Sequence, residues 1–439
     1  MGLILQRSQS IFNNNPVVAE IKLLIILLIY KATFDIYYAC AVYPVYSYEG
    51  YTYDFLLYKF VISYVILIVL YKLFPHDEIK PSSVSLSLIL LIYIIPILSC
   101  YSLGSYPTEY LLFVLMGFLT ISCTIKILPK PKIKEFSLNA KSLYIACVVV
   151  LISALLATVA RYGVPSFAAL SFSDVYTIRE SNLDKSSMLL EYLSSWSIYS
   201  VAPFLMLIYL EKKQYINLFL VLAFFSILYL ILAAKGIFFL PLLIFFLFYS
   251  LRRRRFFLYF TLSIVSLLLI DMYLFYKTGN FYILFFIQRI FFDPILGSTR
   301  YYDFFSNNEF VYLSDSIFKW FIDYPYSEPI PSLIGYLQYA SYSWNNVNFY
   351  MDDAYMHFGV AGIFIFSGLL ALLMIVTDSL YFKRPSLVVL IFSVLIIYRI
   401  TSGPMLTALS SRGGAFSILL ILFYVCRKEI TNADVCSKD

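Results

Sequence analysis

At 439 residues the chain is long enough for two or three soluble domains. With 61% hydrophobic and only 13% charged residues, and a mean hydropathy of +0.82, that organisation is excluded. The formal charge of +6 does not point to nucleic acid, because the basic residues sit in short clusters between apolar runs, where the positive-inside bias accounts for them.

Apolar runs of about 18 or more residues recur from end to end, and each can cross a ~30 Å hydrocarbon layer. They are continuous rather than alternating, which excludes a strand barrel. The pattern predicts an all-α polytopic membrane protein with a single integral domain over 1–439. Cys40, Cys100, Cys123, Cys147, Cys426 and Cys436 are scattered, with neither a disulfide framework nor zinc spacing, and no metal or cofactor is expected. Arg7 and the Asn13-Asn14-Asn15 run, without a small-residue cleavage site, predict a cytoplasmic start rather than a cleaved signal peptide.

In chain order the first predicted spans are 21–44, 55–75, 84–102, 108–128, 142–160 and 193–210. Lys31 and Asp35 in the first read as a neutralising intrahelical pair. Lys126, Lys130, Lys132 and Lys134 close the fourth with a cytoplasmic signature, and a smaller periplasmic loop, 161–192, follows the fifth. The stretch 216–250 carries one charge, Lys235, between the clusters Lys212-Lys213 and Arg252-Arg253-Arg254-Arg255. A single crossing would leave one cluster outside, so two short spans, 216–233 and 237–250, are predicted with Lys235 at the outer turn. Spans 256–276, 354–377, 386–401 and 414–426 bring the number to about twelve, with both termini cytoplasmic. The halves show no self-similarity, which gives an inverted-repeat transporter no support.

This topology makes external cations informative: Arg161, Arg179, Lys185, Lys235, Lys277, Arg289, Arg300, Lys319 and Arg412, with Arg399 near the outer end of its span. Lys185 and Lys319 read as solvated charges, and Lys277 as a snorkelling side chain. Arg399 lies inside Leu395-Ile396-Ile397-Tyr398-Arg399-Ile400, where a guanidinium marks either a functional cavity or a structural ion pair. Arg412 lies in Ser410-Ser411-Arg412-Gly413-Gly414, a turn whose N–H groups could also meet an anion. Arginine suits phosphate because its planar fork donates two parallel hydrogen bonds. Asp271 has no partner nearby in sequence and is expected to pair with Lys277 or line the same cavity.

The longest polar-interrupted segment, 277–352, is a large periplasmic loop with short helices. Its aromatics, among them Tyr301, Tyr302, Trp320 and Trp344, alternate with Asp293, Asp303, Glu309, Asp315 and Asp323. That mixture suits sugar binding, and equally a loop lying on the membrane interface. Phe281–Ile290 reads as an interfacial helix stopped near Pro294. The loop exits through Asp352-Asp353-Ala354-Tyr355-Met356-His357-Phe358-Gly359. His357 and His76 are the two histidines, and His76 falls in a cytoplasmic connector. His357 follows Asp353 by four, so a carboxylate and an imidazole share a helix face, as a general base and its partner require. The alternative is a helix start favoured by acidic residues.

A dozen spans, cytoplasmic ends, one large outer loop between spans 9 and 10, and the Asp353-Ala354-Tyr355, Phe358-Gly359 and Gly362 exit resemble the Wzy-type O-antigen polymerases. The resemblance covers the whole chain as architecture and a short stretch as motif. Many members carry a Gly-Ser-Arg-like turn where this chain has Ala233-Ala234-Lys235-Gly236, which keeps the charge but not the fork. The arginine with a glycine eleven residues on, seen in some members, is not matched at Arg161, Arg289 or Arg399. The resemblance implies a GT-C-like, metal-independent glycosyltransferase of the Gram-negative inner membrane, acting in lipopolysaccharide biosynthesis. Its substrates would be undecaprenyl-diphosphate-linked oligosaccharides, joined at the periplasmic face, with membrane lipids and a chain-length regulator as partners. His357 with Asp353 would serve catalysis, and Arg399, Arg412, Lys235, Arg289 and Arg300 the diphosphate. An O-antigen ligase or a polysaccharide flippase is the alternative.

Overall fold

The computed structural model describes residues 16–73, 80–134, 140–170, 178, 181–182, 187–316, 318, 320–339 and 344–426. Arg179, Lys185, Lys319, His76 and Cys436 lie outside them. Every regular element among the described residues is helical. In hydrocarbon no water can pair backbone N–H and C=O groups, and only a helix pairs them all within one segment.

In chain order the helices are α1 (Glu20–Glu49), α2 (Leu57–Leu73), α3 (Pro81–Leu103), α4 (Thr108–Ile127) and α5 (Ala140–Tyr162). Next come α6 (Met188–Lys212), α7 (Tyr215–Leu232), α8 (Lys235–Arg252) and α9 (Phe256–Thr278). The loop holds α10 (Asp293–Phe305) and α11 (Ile330–Tyr339), and α12 (Tyr350–Lys383), α13 (Leu387–Thr401), α14 (Met405–Leu409) and α15 (Gly414–Cys426) follow. Each of the twelve predicted spans coincides with a helix. Among the described residues nine helices are long and apolar enough to cross a membrane: α1, α3 to α9 and α12. With 17, 15 and 13 residues, α2, α13 and α15 fall below the ~20 of a full crossing. The chain is a multi-pass helical membrane protein. The stretch 216–250 does form two helices, broken at Ala233 in a left-handed conformation (φ +50°).

Contacts divide the chain into two compact units: 1–128, 253–373 and 401–405, and 129–252, 374–400 and 406–439. The first is built around α3, whose apolar window is wholly buried. Within it the Ser87 hydroxyl donates to the Ser83 carbonyl and the Ser102 hydroxyl to the Ser99 carbonyl (both 3.0 Å), and small residues let neighbours approach closely. The Tyr30 hydroxyl of α1 donates to the Leu91 carbonyl (3.1 Å), and Tyr93 stacks on Phe349 at 4.4 Å. Lys31 and Asp35 form the predicted pair at 2.8 Å, and the Tyr64 hydroxyl of α2 also donates to Asp35 (2.8 Å).

Three expectations in this unit are corrected. Asp271 does not pair with Lys277: its Oδ2 accepts from the Tyr37 hydroxyl (2.7 Å), and its Oδ1 from the N–H groups of Tyr282 and Ile283 (2.8 and 3.0 Å). It therefore fastens the start of the long loop to α1 and α9. Pro294 does not stop the loop helix. Leu284–Ile287 continues through a π-helical turn, Gln288–Phe292, into α10, where Pro294 occupies the first turn and its missing N–H costs nothing. Span 10 does not start at 354: α12 begins at Tyr350 and breaks at Phe358 and Gly359.

In the second unit α6 contains a π-helical turn, Ser197–Val201. Phe204 packs against Phe392 of α13 and Tyr424 of α15, at 5.3 and 5.4 Å. Three predicted cytoplasmic connectors meet here. Lys383 donates to the Ile133 carbonyl (2.8 Å), Lys130 lies over the Phe382 ring (3.7 Å), and Glu211 accepts from the Leu387 N–H (3.3 Å).

Candidate functional site

The break in α12 isolates its first two turns, which carry Asp352, Asp353 and His357. Gly359 adopts φ +59° and ψ −140°, a conformation open to glycine and strained for other residues. Acidic side chains in a first turn also suit the positive end of the helix dipole. The two neighbouring aspartates have different surroundings. Asp352 accepts from the Tyr110 hydroxyl (2.6 Å) and from the Ser298 hydroxyl (2.8 Å), which ties α12 to α4 and α10. Asp353 Oδ2 accepts from the Met405 N–H (2.9 Å), and its Oδ1 lies 3.5 Å from His357 Nε2.

His357 is brought to Asp353 as the sequence predicts, and a third group joins them: Asp315 Oδ1, 3.8 Å from the same Nε2. On the other side of the ring, the Leu313 N–H donates to Nδ1 (3.2 Å). That bond makes Nδ1 the acceptor, so the neutral ring carries its proton on Nε2, facing two carboxylates. The lone pair a general base must offer is already occupied, and only 3% of the His357 side chain is exposed. With Nδ1 engaged and Nε2 facing two carboxylates, the ring is better placed to orient a partner than to take a proton itself. Burial, more than the opposing pull of His357, raises the Asp315 carboxyl above the ordinary aspartate range.

Arg289 and Arg300 come together near Glu49. Arg300 donates to the Glu49 carbonyl (2.6 Å), and Gln288 donates to the Glu49 carboxylate (3.1 Å). Arg289, one position further along the π-helical turn, pairs with Asp293 at 3.0 Å. Carboxylates share this patch with the two arginines, so it is a mixed-charge site and a poor seat for a dianion.

In the second unit Arg399 and the turns that bear the other two predicted cations, Lys235 and Arg412, approach the π-helical turn of α6. The Arg399 guanidinium lies over the Tyr199 ring, 3.6 Å from its centroid. A Cβ added at Gly236, next to Lys235, would stand 3.8 Å from the Tyr199 hydroxyl. The Ser200 hydroxyl donates to the Gly413 carbonyl (3.0 Å), Ser417 donates to Ser200 (2.7 Å), and Trp196 Nε1 donates to the Ser410 carbonyl (3.3 Å). Gly413 has φ +81°, and a Cβ there would stand 2.6 Å from Ser200 Oγ, so the turn bearing Arg412 can approach α6 only through glycine. Lys235 opens α8, where the helix dipole adds positive potential. Extra-wound π-helical turns recur at functional sites.

Sequence reasoning overlooked Tyr199, Ser200 and Trp196, and noted Asp315 only as one loop acid. A signal was present for the first three. With Ser194, Ser195, Trp196, Ser197, Tyr199 and Ser200 in its N-terminal half, α6 has the lowest mean hydropathy of the nine long helices, 1.5. No family model matches the chain, and no curated protein or solved structure does.

Proposed function

We propose that the chain polymerises undecaprenyl-diphosphate-linked oligosaccharide repeat units into O-antigen polysaccharide at the periplasmic face of a Gram-negative inner membrane. The observation that carries this reading is the convergence of Arg399 and of the turns bearing Lys235 and Arg412 on Trp196–Ser200 of α6. Cations held at helix ends in a chain of long apolar helices suit an anionic headgroup whose tails lie in lipid. A diphosphate takes the paired N–H bonds of arginine, while a lysine supplies a point charge.

In the reaction a hydroxyl of one repeat unit attacks the anomeric carbon of another, and the bond to undecaprenyl diphosphate breaks. Negative charge grows on the departing diphosphate, and fixed cations there lower the barrier more than any other single contribution of such a site. The hydroxyl proton passes to a protein group. The aromatic and acidic side chains of the long loop suit the sugars. The support is chemical: phosphate-matching cations, titratable groups and apolar helices in one chain.

Deleting the gene from its source cells and resolving the lipopolysaccharide by gel tests the proposal. A polymerase leaves a single repeat unit on the lipid core and no ladder. Bare core alone would assign ligation instead, and an unchanged ladder would overturn both.

A further inference from the structure

We propose that Asp315 accepts the proton of the attacking sugar hydroxyl and that His357 acts behind it as a positioning residue; this rests on the glycosyl-transfer reading above. Exposure separates the three clustered groups first. Of the side chains, Asp315 is 34% exposed, while His357 and Asp353 are each 3% exposed. A proton acceptor must reach the hydroxyl directly or through one water, and Asp315 is the member that reaches outward.

The surroundings of Asp315 are those of a held group and not of a loose surface charge. The Val311 N–H donates to the Met356 carbonyl (3.0 Å), which joins the loop to α12 one residue before His357. The Ser314 N–H donates to the Val311 carbonyl (3.0 Å), and the Ser316 N–H and hydroxyl donate to the Leu313 carbonyl (3.0 and 2.6 Å). Asp315 thus sits in a turn braced on both sides. Between them Tyr312 and Leu313 adopt φ +51° and +68°, left-handed conformations that favour glycine, though neither residue is one. Such strain persists where surrounding contacts impose it. Here it accompanies the Leu313 N–H bond to His357 Nδ1, which turns the protonated Nε2 toward Asp315 and Asp353.

Among the described residues, His357 and Asp353 of α12, Tyr301 of α10 and Tyr324 of the loop face Asp315. Burial strengthens the carboxylate as a base by raising its affinity for a proton, while the His357 side keeps the ionised form accessible. In the step itself the acceptor O–H bond breaks and its proton moves to Asp315. The oxygen forms the new bond to the anomeric carbon, and the electron pair of the old C–O bond leaves with undecaprenyl diphosphate. Asp315 then returns the proton to water.

The test uses the full chain in nanodiscs, with lipid-linked repeat units extracted from source cells in which the gene is deleted. Elongation rates are measured from pH 4 to 9 for wild type, Asp315→Asn, Asp315→Glu and His357→Asn. General-base loss typically costs about 10²–10⁴-fold, so Asp315→Asn is expected to lower kcat at least ~100-fold with KM within ~3-fold. It should also flatten the acidic limb of the pH profile. Asp315→Glu should recover part of kcat and keep that limb, while His357→Asn should shift the limb toward higher pH. Wild-type elongation with Asp315→Asn within ~3-fold of it, or Asp315→Glu as inactive as Asp315→Asn although folded, overturns the role of Asp315 alone. Failure of wild type to elongate any such unit overturns the polymerase reading, and the role of Asp315 with it.

Discussion

Gly359→Ala isolates what the break in α12 contributes. At φ +59° and ψ −140° an alanine would be held in a region costing about 1–3 kcal/mol for a residue with a side chain. The added Cβ would also stand 2.8 Å from Phe310 Cζ, with two more ring atoms at 3.3 and 3.4 Å. The Phe310 ring is wedged edge-on between Tyr312 and Tyr355, at 6.1 and 6.0 Å, so it can yield only by moving Tyr312 and with it the Leu313 N–H. The cost falls on the bent arrangement and not on a straight helix. At about 1.4 kcal/mol per tenfold, the bent population falls roughly five- to a hundred-fold relative to a straight one. Amide exchange at Leu313 should accelerate, and chain-length ladders in cells should shorten. Gly368→Ala is the control, because a Cβ there meets nothing within 4 Å and removes a glycine from a helix interior. Wild-type exchange and ladders in Gly359→Ala would refute the claim that this bend holds His357 in its cluster.

Lys31→Met strands the buried Asp35 carboxylate without its cation, which should lower stability by about 3–5 kcal/mol in detergent unfolding; Lys31→Met with Asp35→Leu should recover most of it, and equal single and double variants would reject the pair as a unit. Tyr199→Phe should bind undecaprenyl diphosphate like wild type, whereas Tyr199→Ala, losing about 0.5–2 kcal/mol of cation–π attraction on Arg399, should weaken binding roughly 2- to 30-fold; identical affinities in a thermal-protection assay would remove Tyr199 from the diphosphate site. Because burial raises the Asp315 carboxyl, the folded state binds more protons than the unfolded chain above the ordinary aspartate value of 3.8. Its contribution to stability is therefore fully present below that value and is lost as pH rises through the raised one. A melting-temperature profile against pH should flatten over this window in Asp315→Asn, and an unaltered slope would contradict the assignment.

The nine long helices were legible because hydrophobicity in a bilayer is a one-dimensional signal: length and apolarity decide the element before any tertiary contact forms. Lys31 and Asp35 were equally legible, since four residues apart on a helix is a contact by construction. What the sequence could not reveal were pairings across elements. Asp271 looked unpartnered because its donors, Tyr37 and the N–H groups of Tyr282 and Ile283, come from a distant helix and a turn. Pro294 reads as a stop by local rules, yet a helix can restart on the proline itself. His357 was found from its spacing to Asp353, but its tautomer depends on the Leu313 backbone, which no side-chain pattern encodes. The cations of the second unit were picked out one by one, while the turn that gathers them, Ser197–Val201, looked like an ordinary, slightly polar helix end.

Tyrosine, present 41 times in the chain, explains why one acidic cluster differs from the rest. Asp35, Asp271 and Asp352, three carboxylates among apolar helices, each accept a tyrosine hydroxyl, from Tyr64, Tyr37 and Tyr110. A phenol donates a strong hydrogen bond and, with a solution pKa near ~10, keeps its proton under conditions where a membrane protein works. Such a carboxylate is fixed in position by its donor. Asp353 and Asp315 are faced instead by an imidazole, the one side chain whose unperturbed ionisation falls between about pH 5 and 8. The carboxylates fixed by tyrosine thus differ from the cluster around Asp315 in the donor each one meets. If Tyr110→Phe altered the acidic limb of the pH–rate profile as strongly as His357→Asn, that distinction would fail, because a merely structural hydroxyl would then be governing the chemistry.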